Sequence, residues 1–279
     1  MTRSGPLKHV LPAMKTAHQA INEADRVLHS LAQFIALTGT QLLDQQPDDS
    51  HTNMAWNPGQ HRLEGRPFVR NGQSVRLIID TRAFTLAFID QTETVMASFS
   101  PDNRTPTDAA AWWKSQLQAW GVQDIKPVNY RLDPPVDQLT PYVRPDGLPE
   151  WGQWRTLANT ALTRLNEWSG RASEVRVWPH HFDTGVYYTI PDAAGQERAA
   201  IWAGYAIADA LSDEPYFYQS GYDRSHAVDF GAAPALPVGQ WLVTDGWKGA
   251  FLPLSAIETD EAVDAFFRES YAWLNQQVA

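Results

Sequence analysis

Cysteine is absent from this chain of 279 residues, which excludes disulfides, thiolate nucleophiles, Cys-x-x-Cys redox pairs and thiolate-bound zinc. No stretch approaches the roughly 18 consecutive apolar residues that span a bilayer. Charged residues are sparse at 19% while hydrophobic ones reach 43%, so the chain is no disordered polymer and can fill a large core without crosslinks or metal. Positive charge is the scarcer sign. The 22 Lys and Arg face 32 Asp and Glu, a formal net charge of −10, and no run of basic residues occurs. Such a field repels phosphate backbones and anionic lipid, so neither nucleic acid nor a membrane is an expected partner. Gly-x-Gly-x-x-Gly, the phosphate-binding loop and His-Glu-x-x-His are all missing, which leaves nucleotide cofactors and zincin chemistry without support. The stretch from Met1 to Lys15 lacks the continuous apolar segment of a secretory leader, and the expected location is cytoplasmic.

Periodicity sets out the elements. From about Leu11 to Leu37, apolar residues recur at spacings of three and four (Met14, Ala17, Ile21, Ala24, Leu28, Leu31, Ile35), the pattern of a helix with one buried face. Short β-branched and aromatic runs follow at Val75–Asp80, Phe84–Ile89 and Thr94–Phe99, reading as an antiparallel meander. Thr105-Pro106-Thr107-Asp108 is a capping signature that opens a helix to Trp120. A second round begins with a helix carrying Trp151, Trp154, Leu157, Ala161, Leu165 and Trp168, stopped by Gly170. Strands are expected at Glu174–Trp178, Phe182–Ile190, Tyr216–Gln219, Trp241–Thr244 and Gly249–Leu254, before a closing helix over Glu261–Gln276. The piece Arg198–Leu211 suits either period and is read as a short helix from Ile201, Tyr205 and Ala208.

Helix, strands, helix thus occurs twice. The expected fold is α+β, two similar halves, each an antiparallel sheet flanked by amphipathic helices, with a possible internal duplication and a cleft between them. Simple alternation of helix and sheet in one α+β chain is the alternative. The boundaries are an N-terminal half over 1–126, a Pro-rich linker over 127–149 and a C-terminal half over 150–279.

Chemistry concentrates in Trp178-Pro179-His180-His181-Phe182-Asp183 and the residues after it. In an extended ribbon, alternate side chains share a face, so Phe182, Val186, Tyr188 and Ile190 point to the core while His181, Asp183, Tyr187 and Thr189 point away. Neighbours two apart lie about 7 Å from each other. That places His181 and Asp183 to hold a divalent metal or to work on a proton together, with His51, His61, His226 or Asp229 as further contributors. Mutual satisfaction on a half-exposed sheet is the structural alternative. Ser225, His226 and Asp229 contain the letters of a nucleophilic triad, but no Gly-x-Ser-x-Gly elbow supports one. Aromatic residues crowd the second half. Tyr222, Trp241 and Trp247, at loops or strand ends, are the candidates for stacking on sugars or other flat, polyhydroxylated molecules.

The order of features also resembles an uncharacterised bacterial family of domains of unknown function. The resemblance is carried by Leu28-His29, the aromatic helix Trp112–Gly121, the block Trp178 to Asp183, the strand Glu214 to Tyr218, and Phe251-Leu252-Pro253 before the last helix. It implies the architecture and brings no activity, substrate or cofactor. The expectation is a binding domain for a small polar ligand, in an aromatic-walled cleft at His180, His181, Asp183, Tyr187, Tyr222, Trp241 and Trp247. A metal-assisted hydrolase using His181 and Asp183 is the first alternative. A structural module whose exposed aromatics meet a second copy of the chain is the other.

Overall fold

A computed structural model describes residues 17–126 and 137–278. Leu11 and Met14 of the expected first helix, and Pro127, Pro134 and Pro135 of the Pro-rich stretch, lie outside the described residues. The described chain forms helices α1 (Ala17–Leu42), α2 (Pro106–Ala119), α3 (Leu148–Ser169) and α4 (Asp260–Val278). Its first six strands are β1 (Met54–Asn57), β2 (Arg62–Gly65), β3 (Phe68–Arg70), β4 (Gln73–Asp80), β5 (Thr85–Asp90) and β6 (Val95–Phe99). The second six are β7 (Arg176–Val177), β8 (Thr184–Pro191), β9 (Glu197–Ala206), β10 (Tyr216–Asp223), β11 (Gln240–Val243) and β12 (Lys248–Pro253).

The expectation of two halves, each with its own sheet, is overturned. All twelve described strands belong to one antiparallel sheet in the order β11-β12-β10-β9-β8-β7-β1-β2-β4-β5-β6, with β3 continuing the edge of β4 beyond β2. The join is β1 against β7, where Met54 faces Val177. Two separate sheets would leave the backbone N–H and C=O groups of β1 and β7 unpaired at the middle of the molecule, and pairing them removes that cost. The α+β class stands, with one sheet in place of two.

Helices cover one face of this sheet. Leu63, Leu77, Ile79, Leu86 and Phe88 from the first strands, and Val186, Ile201, Tyr205, Phe217 and Leu252 from the later ones, share one continuous core with Leu28, Leu31, Trp113, Trp151, Leu162 and Phe266 of the helices. Polar bonds fix the layer laterally. Trp113 Nε1 of α2 donates to Thr38 of α1 at 2.9 Å, Trp56 Nε1 of β1 to Thr156 of α3 at 3.0 Å, and Ser270 of α4 to Gln219 of β10 at 2.6 Å. The capping expectation at α2 holds: Thr105 accepts from the Asp108 amide, and Asp108 accepts in return from the Thr105 amide. Gly170, at φ 66°, ends α3 in the left-handed conformation that glycine adopts without steric cost. The described part of the Pro-rich stretch packs on the body, where buried Tyr142 bonds Ser30 of α1 at 2.8 Å.

Among the described residues no helix covers the other face of the sheet. Over β2, β4 and β5 it is clothed in ion pairs, Arg62 with Asp80 (3.5 Å) and Glu93, and Arg76 with Glu64 (3.4 Å) and Glu93. Over β7 to β10 it is aromatic instead.

The short helix expected within Arg198–Leu211 is corrected to strand β9. Ala199, Ile201, Ala203 and Tyr205 all face the core at 0% exposure, while Trp202 and Gly204 face the open side. Burial on both faces hides the two-residue period, and the Ile201-Tyr205 spacing imitates a helix.

Candidate functional site

The turn before β8 is held from beneath. The Trp178 amide donates to the Asp183 carbonyl at 2.9 Å and the Phe182 amide to the Trp178 carbonyl at 2.7 Å, closing a tight loop. Phe182 sits at φ 55°, a left-handed conformation that costs a non-glycine residue about 1–2 kcal/mol. Packing offsets that cost. The Phe182 ring is fully buried, stacked on His29 of α1 at 4.9 Å and on Trp151 of α3 at 6.1 Å, with the Arg155 guanidinium 4.6 Å from its centre.

Arg155 is the anchor of this arrangement. Fully buried, it donates to the Phe182 carbonyl at 2.7 Å, to Thr184 Oγ1 at 2.9 Å and to Asp25 Oδ1 at 3.1 Å, while Trp151 Nε1 donates to the same Asp25 oxygen at 2.7 Å. Burial raises the Asp25 carboxyl above its ordinary range, opposed by the Arg155 charge. His29 Nε2 lies 2.8 Å from the Pro179 carbonyl, which only accepts, so this nitrogen carries the proton. Burial pushes His29 down to about 4, so it is neutral at pH 7. Gln33 donates to the same carbonyl at 3.0 Å. Leu28 and His29, a pair noted in the sequence, thus serve the core and the turn respectively.

Because residues 179–182 form a turn, the ribbon expected to begin after Pro179 becomes pleated only at Thr184. His180 and His181 stand exposed at its tip, their rings 4.6 Å apart. Asp183 turns onto the open sheet face, whereas His181 does not line the groove found there. From Val186 onward the expected alternation appears, with Val186, Tyr188 and Ile190 buried and Tyr187 and Thr189 exposed.

Along the row Gly185, Gly204 and Tyr218 of β8, β9 and β10, two side-by-side glycines leave a trough. The Tyr218 ring lies in it: a Cβ on Gly204 would fall 2.6 Å from the Tyr218 hydroxyl, and one on Gly185 would fall 3.4 Å from it. The hydroxyl donates a short hydrogen bond to Asp183 Oδ2. Burial and the Asp183 charge hold the Tyr218 phenol well above its ordinary pKa, which keeps this donor protonated. Asp183 Oδ1 is buried and has no hydrogen-bond partner.

Further along the same face, Tyr187, Trp202 and Tyr222 stand on three adjacent strands, with ring centres 6.2 Å and 6.1 Å apart. Glu197 gathers the two phenol tips. It accepts from Tyr187 at 3.3 Å, from Thr189 at 3.0 Å, from Arg224 at 3.3 Å and, through a short bond, from Tyr222. The Tyr222 bond leads the lowering of the Glu197 carboxyl pKa. Burial, followed by the bond from Tyr222, raises the Tyr187 phenol. On the opposite wall, Glu174 is shared by Arg66, at 2.9 and 3.1 Å, and Arg176, at 2.6 Å. The aromatic row, Glu197, Glu174 and Arg176 line an open groove of about 700 Å³, together with Asp48, Trp178, His180, Asp183 and Tyr218.

Of the residues singled out in the sequence, His180, Asp183, Tyr187 and Tyr222 therefore meet in one groove. Trp241 lies on the helix side, 4.7 Å from Trp273, with its Nε1 on the Pro234 carbonyl at 2.8 Å. Trp247 covers Gly249 beside Tyr216 and Phe251, outside the groove. His51 is buried and accepts from the Gln46 amide, Asp229 caps Gly231, and His61 packs edge-on against Trp56. Among the described residues no group of three or more His, Asp or Glu is placed to hold a metal ion. Ser225 Oγ donates to Asp223 and lies 3.2 Å from His226 Nδ1, but His226 Nε2 bonds the Gln277 carbonyl of α4 at 2.8 Å, so a backbone carbonyl stands behind the imidazole where a Ser-His-Asp relay requires a carboxylate.

Trp202, Tyr218 and Glu197 belong to the groove but were not among the candidates. The helical reading of 198–211 hid Trp202; as a strand paired with β8, that segment sets Trp202 directly opposite Tyr187. Comparison with protein-family models, curated proteins and solved structures gives no match for this chain.

Proposed function

We propose that the open sheet face binds a small polar ligand in the groove between the Asp183–Tyr218 pair and the Tyr187–Trp202–Tyr222 row. The observation that carries this is Asp183, which lines the groove and whose Oδ1 is a buried carboxylate oxygen without a hydrogen-bond donor. Leaving such an acceptor unpaired costs about 1–3 kcal/mol or more, which a donor from a bound molecule offsets. Aromatic faces beside hydrogen-bonding tips suit flat or polyhydroxylated molecules. The volume of about 700 Å³ is that of a small-molecule site. No helix among the described residues is long and apolar enough to cross a membrane. The net charge of −10 argues against nucleic-acid partners, and the lack of cysteine suits the reducing cytoplasm.

Thermal-shift screening against sugars, polyols and small heterocycles tests the proposal. A hit whose shift is lost in both Trp202→Ala and Tyr187→Ala supports it. Hits that survive both substitutions place binding elsewhere and refute it.

A further inference from the structure

The charges around the groove are unequally paired. Glu174 and Asp48 stand against Arg66 and Arg176: Glu174 bonds both arginines, and Arg176 helps lower the Asp48 carboxyl. Glu197 has Arg224 at 3.3 Å. Among the described residues no arginine or lysine makes an ion pair with Asp183; its bonded neighbour is the neutral phenol of Tyr218. The His180 imidazole also lines the groove, where partial desolvation lowers its pKa and the Asp183 charge opposes that shift. The Asp183 end of the groove is therefore an anionic pole that shares its lining with Trp178 and Tyr218, aromatic residues of the kind that attract cations.

We infer that the ligand is an amine cation whose ammonium group donates to Asp183 Oδ1 while its body lies along Trp202 and Tyr187, an assignment that rests on the groove being the binding site. An ammonium supplies what the pole lacks, a charged donor for the unpaired oxygen. Ammonium and aromatic faces attract, whereas a carboxylate or phosphate ligand would meet Asp183 and Glu197 as like charges. An alcohol would satisfy the oxygen but leave its charge unpaired. The trough at Gly185 and Gly204 keeps β-carbons away from this end and lets the Tyr218 hydroxyl stay on Oδ2, so the carboxylate presents Oδ1 in a fixed direction.

Three probes of one shape and different charge test this: 2-phenylethylamine, 2-phenylethanol and phenylacetate, titrated into the full chain with Trp fluorescence and calorimetry. The amine should bind at least about tenfold more tightly than the alcohol, as expected for a charge-assisted bond over a neutral one, and phenylacetate most weakly. Asp183→Asn should remove the preference of amine over alcohol and leave alcohol binding within about threefold, circular dichroism confirming the fold. Tyr218→Phe, which keeps the ring and the carboxylate, should retain the preference and guards against a folding defect in Asp183→Asn. Equal binding of amine and alcohol, or a preference that survives Asp183→Asn, overturns the cation assignment. If Trp202→Ala leaves the binding of all three probes unchanged, or none of them binds, the groove reading falls as well.

Discussion

Replacing Arg155 by Met keeps most of the side-chain volume and removes the guanidinium. Three groups then change state together. The Phe182 carbonyl and Thr184 Oγ1 lose their donor, Asp25 keeps only Trp151 Nε1 on Oδ1, and its charge stays buried without a cation. Both members of the pair are essentially solvent-free, at 0% and 3% side-chain exposure. Breaking a buried pair from one side typically costs about 3–5 kcal/mol. That is a large share of the roughly 5–15 kcal/mol by which domains are stable. Urea unfolding followed by Trp fluorescence should show a lower midpoint at unchanged slope. Adding Asp25→Asn to Arg155→Met should recover roughly 1–3 kcal/mol, because the two residues interact directly. A loss below about 1 kcal/mol for Arg155→Met, or strict additivity in the double variant, would refute the claim that this pair fastens the turn at 178–183.

His29 gives a pH dependence whose sign follows from its burial, which the bond to Pro179 only partly opposes. Its folded pKa of about 4 lies below the ordinary 6.5, so between those values the unfolded chain binds the extra proton. Stability is then fully present above pH 6.5 and falls by roughly 3 kcal/mol as pH drops towards 4; His29→Gln should flatten that slope in urea titrations. Gly204→Ala should cost about 1–3 kcal/mol by overpacking, since its methyl would meet the Tyr218 hydroxyl and the Thr184 carbonyl at 2.6 Å each. Thermal denaturation measures this, and a neutral result would place Tyr218 off the trough. Leu28→Ala, at a fully buried position of α1, should lose about 2–5 kcal/mol in the same assay.

Elements with one buried face were legible in the sequence. The three-and-four spacing of Ile21, Ala24, Leu28 and Leu31 defines α1, and the short runs at 75–80, 84–89 and 94–99 correspond to β4, β5 and β6. Strands β1 to β3 were not anticipated, because Met54-Ala55-Trp56-Asn57 and its neighbours hold few β-branched residues. The pairing of β1 with β7 was illegible for a different reason. It joins Met54 to Val177 across more than a hundred residues, with no turn to announce it, and the repeated order of elements then reads as two bodies. The Trp178–Asp183 block stood out correctly as unusual. Its turn geometry depends on Arg155 and His29 from two helices, which no local pattern displays. Tyr187 and Asp183 were seen as open-face residues, while Trp202 and Tyr218 became their neighbours only through strand register.

The chain has 12 Trp, and their indole N–H signals in a two-dimensional NMR spectrum report separately on the two faces of the sheet. Titration with a ligand that raises the melting temperature should move the signals of Trp178 and Trp202, which line the groove, and leave those of buried Trp113 and Trp151 in place. Shifts confined to Trp113, Trp151, Trp241 or Trp273, with Trp178 and Trp202 unmoved, would mean that the ligand enters through the helical layer and that the open face is not the binding surface.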